Sequence, residues 1–362
     1  MNASQQDLLR LHLTPGLGRT ALFKLHQYFG NFTAALQAPP QHWREAGLTE
    51  NLCNKVPAEN DPKFQQIHHQ LESQQVRLIS FWDKDYPSLL REIHDPPALL
   101  YLRGKLPEND CFAIVGSRRA TSAGLSLTRE LATTLAHHEV CIVSGLARGV
   151  DSAAHRGALD AKGATIAVLG CGIDRIYPPE NSKLFHEIQQ ENAIITEYPP
   201  ETPPLAGHFP GRNRIISGLS RGVLIVEAAE KSGSLITGDF ALEQGRELFA
   251  IPGALQNPNS KGTNRLLKEG AQLVTEARDI LQSLWPDQPT KQEQGQYNTF
   301  ADQLDEPVLS VFRVLGHEPR HSDEIARECG LTPMQLSAIL LDLELRGGIQ
   351  TLPGNYYIRA QL

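Results

Sequence analysis

Long apolar runs are missing from this 362-residue chain. None approaches the roughly 20 residues that a membrane-crossing helix needs. Met1 to Arg10 carries neither the basic start nor the apolar stretch of a secretory signal, so a cytoplasmic protein is expected. Cysteine is sparse: Cys53, Cys111, Cys141, Cys171 and Cys329 fall at no metal-ligand spacing, and three of them lie within or beside apolar runs that read as strands. Buried, reduced thiols are expected there, not a metal centre. Excess positive charge is missing too. At a net charge of −7 the chain cannot coat nucleic acid through bulk electrostatics, so any such site must be a local concentration of arginine and lysine.

Several catalytic and nucleotide signatures are also missing. No glycine precedes a Gly-Lys-Ser or Gly-Lys-Thr triplet at P-loop spacing, so nucleoside triphosphate hydrolysis has no support. Gly116 to Gly124 lacks the close glycine spacing of a dinucleotide fingerprint, and no acidic residue ends the following strand at Val143-Ser144. Ser144-Gly145 does not belong to a Gly-x-Ser-x-Gly elbow. Asp151, Ser152 and His155 invite a metal or nucleophile reading, but no third ligand is spaced nearby and Asp151 is placed to cap the helix that follows. The expectation is a protein with no catalytic residues, no metal and no cofactor.

What the chain does have is glycine-rich loops set between strand and helix patterns. Gly116-Ser117-Arg118-Arg119 follows the apolar run Cys111 to Val115 and precedes the helical pattern Ala120 to His137. Ser144-Gly145-Leu146-Ala147-Arg148-Gly149 follows Val140 to Val143, Gly170-Cys171-Gly172 follows Thr165 to Leu169, and Ser232-Gly233-Ser234 follows Val223 to Glu227. A helix N-terminus presents unpaired N–H groups and the positive end of a dipole, glycine lets an anion approach the backbone, and arginine adds charge. In an open parallel sheet such loops converge beyond the carboxyl ends of the strands. A second glycine-and-arginine loop, Gly211-Arg212-Asn213-Arg214, follows Phe209 in a Pro-Gly-rich stretch. Arg118, Arg119, Arg148, Arg212, Arg214 and Arg221 form the candidate basic cluster, with Glu187, Glu191, Glu243 and Glu247 displaced onto helices. A focused basic pocket for a polyanion follows.

Punctuation along the chain gives its organisation. Residues 1–70 are helical in pattern, with a turn at Pro15-Gly16-Leu17-Gly18 that reads as a helix-to-helix connection before it reads as a phosphate-binding hairpin. Residues 71–285 alternate strands with helices, beginning at Val76 to Phe81 and Ala98 to Arg103, which predicts an α/β domain with a doubly wound, mostly parallel sheet. The polar stretch 286–304 reads as a linker. Residues 305–362 give three short helical patterns and a two-stranded end, a winged-helix outline. Its helix from Met334 to Arg346 carries Asp342 and Glu344 with Arg346 its one cation, a charge unsuited to reading duplex DNA.

The motifs Val115 to Arg119, Val143 to His155, Phe209 to Ser220 and Ser232 to Thr237 closely resemble those of the DNA-processing protein A family, also called DprA or Smf. The resemblance implies a Rossmann-like, mostly parallel domain flanked by an N-terminal all-α (helix-hairpin-helix or SAM-like) domain and a C-terminal winged helix. It implies a protein that binds single-stranded DNA, protects incoming DNA during natural transformation, loads the RecA recombinase and forms a homodimer. Gly116, Ser117 and Arg118 would hold phosphate, Phe209 would stack on a base, and Arg212 and Asn213 would lie beside it. From the residues alone, Phe209 reads equally as a side chain packed beneath its loop. Arg119, Ser144, Gly145, Arg148, Arg214, Ser232, Gly233 and Ser234 complete the expected DNA site. Ala206 stands where some relatives have a lysine.

Two other classes compete. Ser232-Gly233-Ser234 to Glu243 also resembles nucleotide phosphoribohydrolases, although their paired glycines before Gly-Thr are absent. The winged helix would alternatively make a duplex-DNA regulator.

Overall fold

Nine of the apolar runs pair into one sheet: β1 (Arg77–Ser80), β2 (Leu99–Gly104), β3 (Cys111–Val115), β4 (Cys141–Ser144), β5 (Thr165–Val168), β6 (Ala193–Thr196), β7 (Gly222–Ile225), β8 (Glu247–Ala250) and β9 (Gln272–Leu273). The computed structural model describes residues 1–286, 301, 304–316 and 319–360. Spatial order is β1-β2-β6-β5-β4-β3-β7-β8-β9. From β6 to β9 every pairing is parallel, while β1 with β2 and β2 with β6 are antiparallel. Both faces are covered, which is why strands such as β3 are buried at every residue and show no polar alternation. Ala167 and Ile194 face one core, whereas Ile166, Val168 and Ile195 face the other.

The chain moves outward from β3 through β4, β5 and β6, then returns to place β7 on the other side of β3. The order therefore reverses between β3 and β7. Loops leaving two such strands must diverge to opposite faces of the sheet, and the crevice they leave is where ligands bind in folds of this class.

The N-terminal helices Ala3–His12, Arg19–Phe29, Phe32–Gln37, Pro40–Glu45 and Pro62–Ser73 share a core with the sheet. Leu9, Leu22, Leu25 and Leu71 pack in one cluster with Tyr101 of β2 and Ile194 of β6. His12 Nδ1 lies 2.9 Å from the Tyr101 hydroxyl, and burial pulls this imidazole down to about 4. It is neutral at physiological pH. The Pro15 to Gly18 segment is a tight turn, with the Leu17 amide donating to the Thr14 carbonyl at 3.1 Å and Gly18 standing as N-cap of the next helix.

Met1–Ile280 forms one compact unit and Leu281–Leu362 a second. In the second, helices Val308–Val314, Ser322–Cys329 and Pro333–Leu345 enclose Phe312, Ile325, Leu340 and Leu343 beside a three-stranded antiparallel sheet, as a winged helix does. Met334, Leu341 and Leu345 make an exposed apolar stripe on Pro333–Leu345, beside Gln335, Ser337 and Glu344. Apart from residues 286, 301 and 304, the linker expected at 286–304 lies outside the described residues. Among those described, no helix is long and apolar enough to cross a membrane.

Two local expectations are corrected. Gly211 to Arg214 and the Pro-Gly-rich stretch around Phe209, expected as a loop, belong to the helix His208–Gly218, with Gly207 at its N-cap position. Pro210 lies in the first turn, where its missing N–H has no intrahelical partner to lose. Asp151 is not the N-cap of the helix Val150–Asp160. Gly149 occupies that position, because the carboxylate of Asp151 is engaged by the preceding loop.

Candidate nucleic-acid interface

A cleft of about 720 Å³ opens beyond the carboxyl ends of β3 and β7, lined by Gly116 to Arg119, Phe209, Arg212, Asn213 and Lys231 to Ser234 among others. Its first wall is the turn that leaves β3. The Arg119 amide donates to Ser117 Oγ at 3.0 Å, and Asn259 Nδ2 donates to the Arg119 carbonyl at 3.0 Å. Thr121 caps the Ser122–His137 helix by accepting from the Gly124 amide at 3.0 Å. The same threonine donates its N–H and its hydroxyl to Glu227, at 3.1 and 2.5 Å. Glu227 thereby fastens the turn to the exit of β7, leaving Arg118 exposed at the cleft.

The turn leaving β4 supports this first turn and contributes little of the cleft surface itself. Ser144 Oγ donates to the Ile114 carbonyl at 2.6 Å, and the Val150 amide donates to the Ser117 carbonyl at 3.2 Å. Gly149 has φ +78° and no room for a side chain, since a Cβ there would fall 2.3 Å from the Ser117 carbonyl oxygen. Substituting alanine must displace the turn that leaves β3. The Asp151 carboxylate accepts from the amides of Gly145 and Ala147 at 3.1 and 3.2 Å. Arg148 points away and pairs with Glu180. Thus Ser144, Gly145 and Arg148 lie outside the cleft lining, and Ala147 and Asp151 reach it instead.

The helix His208–Gly218 supplies the second wall. Phe209, Arg212, Asn213 and Ile216 recur at the three- and four-residue spacing of one helix face, and all four line the cleft. Arg214 falls on another face. It is buried, with its guanidinium on Glu197 at 2.7 and 2.8 Å and on Asp95 at 3.2 Å, so the structure does not bring Arg214 to the cleft. Arg221 sits at the amino end of β7, paired with Asp110 at 2.9 Å, across the sheet from the site.

Arg212 is only 3% exposed. Its Nη1 donates to the Gly145 carbonyl at 2.8 Å and to the Val168 carbonyl. Gly145 is required by this approach, because a Cβ would lie 2.4 Å from Arg212 Nη2. Burial lowers the guanidinium from its ordinary range and the nearby Asp151 raises it again. Reciprocally, burial pushes the Asp151 carboxyl up and Arg212 pulls it back. Arg212 therefore ties the ends of β4 and β5 to the helix and puts a buried positive charge under the cleft. His155, one turn beyond Asp151 on the helix Val150–Asp160, is buried with Nδ1 2.8 Å from Thr165 Oγ1, and burial drives it down to about 3. Asp151 and His155 serve separate hydrogen-bond systems.

Phe209 is half-buried, not packed fully beneath the chain. Its ring rests against Gly170, where a Cβ would meet it at 2.8 Å, and lies 5.6 Å from the Tyr177 ring. The Arg118 and Arg212 guanidinium carbons are 5.2 and 6.0 Å from its centroid. Ser232 starts the helix Gly233–Glu243 by accepting from the Ser234 amide at 3.4 Å. Asn213 Nδ2 reaches the Gly233 carbonyl at 3.3 Å. Among the described residues, the Ser117 and Arg118 amides donate to no protein acceptor.

Among the lining residues that escaped the sequence reading, three carry polar groups: Lys231, Tyr177 and Asn259. Lys231 directly precedes Ser232-Gly233-Ser234, so its position was a usable signal. Tyr177 and Asn259 are distant in sequence and gave none. Ala206 does line the cleft, and Lys231 supplies an ammonium to the same space.

The sequence matches the DNA recombination-mediator protein A family over residues 77–285 and the DprA winged helix domain over residues 299–355. It is 42% identical over 295 residues to Protein Smf of Escherichia coli (strain K12), a match covering 79% of this chain and 78% of that protein. It is 42% identical over 226 residues to the DNA processing protein DprA of Bacillus subtilis (strain 168), covering 62% and 76%. The crystal structure of DNA processing protein A from Streptococcus pneumoniae is similar at TM-score 0.68 and 35% identity, over 78% of this chain and 99% of that one. DNA processing protein A from Helicobacter pylori, described for its single-stranded DNA binding mode, is similar at TM-score 0.54 and 35% identity, over 59% and 97%. The chain belongs to the DNA processing protein A family, also named DprA or Smf.

Proposed function

We propose that this protein binds single-stranded DNA in the cleft at the β3/β7 crevice and acts as a recombination mediator, without chemistry of its own. The observation that carries the reading is the juxtaposition of a half-buried aromatic ring, Phe209, with the exposed Arg118 guanidinium 5.2 Å from its centroid and with the Gly116-Ser117 turn, which lines the same cleft. Single-strand binding sites combine a cationic track with aromatic faces on which bases stack. A paired duplex offers phosphates but no exposed base face. The single-stranded DNA binding of the Helicobacter pylori relative supports the same choice. Membership of the recombination-mediator family supports the wider role: protecting incoming DNA during natural transformation and loading RecA in the cytoplasm, as a homodimer.

The test is binding of a fluorescent oligo-dT and of a matched duplex across salt concentrations. Wild type is expected to prefer the single strand. Arg118→Ala is expected to reduce the slope of log affinity against log salt by roughly 0.7, the counterion released per single-strand phosphate contact. An unchanged slope removes Arg118 from the phosphate track, and duplex preference sends recognition to the winged helix. Faster RecA filament formation on the bound strand is expected for a mediator. Release of free base from nucleoside monophosphates would instead establish the phosphoribohydrolase reading.

A further inference from the structure

Lys231 lines not only the DNA cleft but also a neighbouring cavity of about 560 Å³, whose other lining residues are Glu230, Leu255, Lys261, Asn264, Arg265 and Lys268. The last four lie on the helix Lys261–Lys268 at the three- and four-residue spacing of a single face. The opposite face is fixed. Leu266 is buried in the sheet core, and the Gly262 amide donates to the Ala228 carbonyl at 2.8 Å. This anchors the helix to the segment after β7 that walls the cleft. Asn264 exchanges two hydrogen bonds with the backbone of Gly253, at 3.1 and 2.9 Å, which positions the loop bearing Leu255, 78% exposed.

Four cations thus share a surface with two carboxylates, Glu230 and Glu269, of which Glu269 lies 3.5 Å from Arg265. Like charges three or four apart on a helix repel one another. In a chain of net charge −7, this local excess of positive charge suits a polyanion, and Leu255 offers an apolar face for a sugar or base. Building on the cleft as the single-strand site, we propose that the bound strand leaves the cleft across Lys231 and runs along the Lys261–Lys268 helix, where Lys261, Arg265 and Lys268 hold its next phosphates.

The experiment compares oligo-dT of about six nucleotides, near the lower end of single-strand site sizes, and of about twenty, beyond their upper end, on the full chain and on the variant Lys261→Gln/Arg265→Gln/Lys268→Gln. These three side chains are exposed, and an unchanged melting curve confirms folding. For the long oligomer the salt slope is expected to fall by roughly 2, about 0.7 for each of three phosphate contacts, with the short oligomer unaffected. An unchanged slope on the long oligomer overturns the path. So does an equal fall on both lengths, which would assign the effect to the general field. Arg118→Ala tested on the short oligomer separates the two layers: if it has no effect, the cleft reading fails and the extension fails with it.

Discussion

Arg212→Leu is expected to destabilise the protein by about 3–5 kcal/mol, the order of effect when a buried charged donor is removed and its buried neighbours are left uncompensated, and to lower the melting temperature by on the order of 10 °C. The expectation departs from what an arginine in a DNA site normally suggests. Arg212 is nearly inaccessible and donates to the Gly145 and Val168 carbonyls, which lose a charged donor in the variant. The Asp151 carboxyl, already pushed up by burial, loses the guanidinium that pulled it back and rises further. Its pH dependence has a definite sign. A carboxyl whose folded value lies above its unfolded value carries no penalty at low pH, where both states are protonated. The penalty grows as pH rises past the unfolded value of about 3.9, and it stops growing above the folded value. The deficit of Arg212→Leu relative to wild type should therefore be larger at pH 8 than at pH 5 in denaturant unfolding, and adding Asp151→Asn should recover part of it at pH 8. Equal deficits at both pH values, with no recovery, would remove the electrostatic link between the two residues.

This distinction between an exposed cleft cation and a buried scaffold cation was not legible in the sequence. Glycine at a strand exit followed by arginine has one appearance whether the arginine is exposed, like Arg118, or buried, like Arg212 and Arg214. The strands were legible because a sheet covered on both faces imposes continuous apolar runs, and their alternation with helices implied parallel pairing. The crevice was legible as well, since loops at strand exits converge once the order reverses. What failed was local. Gly211-Arg212-Asn213-Arg214 looks like a turn because glycine and proline are strong punctuation, yet Pro210 stands where a helix tolerates it. Once those residues are helical, the three- and four-residue spacing divides them: Phe209, Arg212 and Asn213 turn to the cleft and Arg214 to Glu197. The shared core of the N-terminal helices and the sheet was invisible for another reason. Leu22 or Leu71 is apolar at helical spacing whether it packs within a separate bundle or against β2 and β6.

Phe209→Ala is expected to weaken oligo-dT binding roughly 5- to 150-fold, the loss of about 1–3 kcal/mol from one stacked base, with little change in salt slope. Stacking releases no counterions, so affinity and slope separate the ring from the cations around it. The geometry makes this separation informative. Arg118 lies over the ring at 5.2 Å, close enough for cation–π attraction, so the ring has two available roles: a platform for a base, or a support that holds Arg118 towards phosphate. In the first role Phe209→Trp keeps or strengthens binding and Phe209→Leu, which preserves bulk against Gly170 and Tyr177, behaves like alanine. In the second role both Phe209→Ala and Phe209→Leu flatten the slope by the same roughly 0.7 as Arg118→Ala, because the phosphate contact is lost with its support. Pairing Phe209→Ala with Arg118→Ala completes the argument: independent stacking and phosphate contacts give additive losses, whereas a ring that works only through Arg118 gives a double variant no weaker than Arg118→Ala alone.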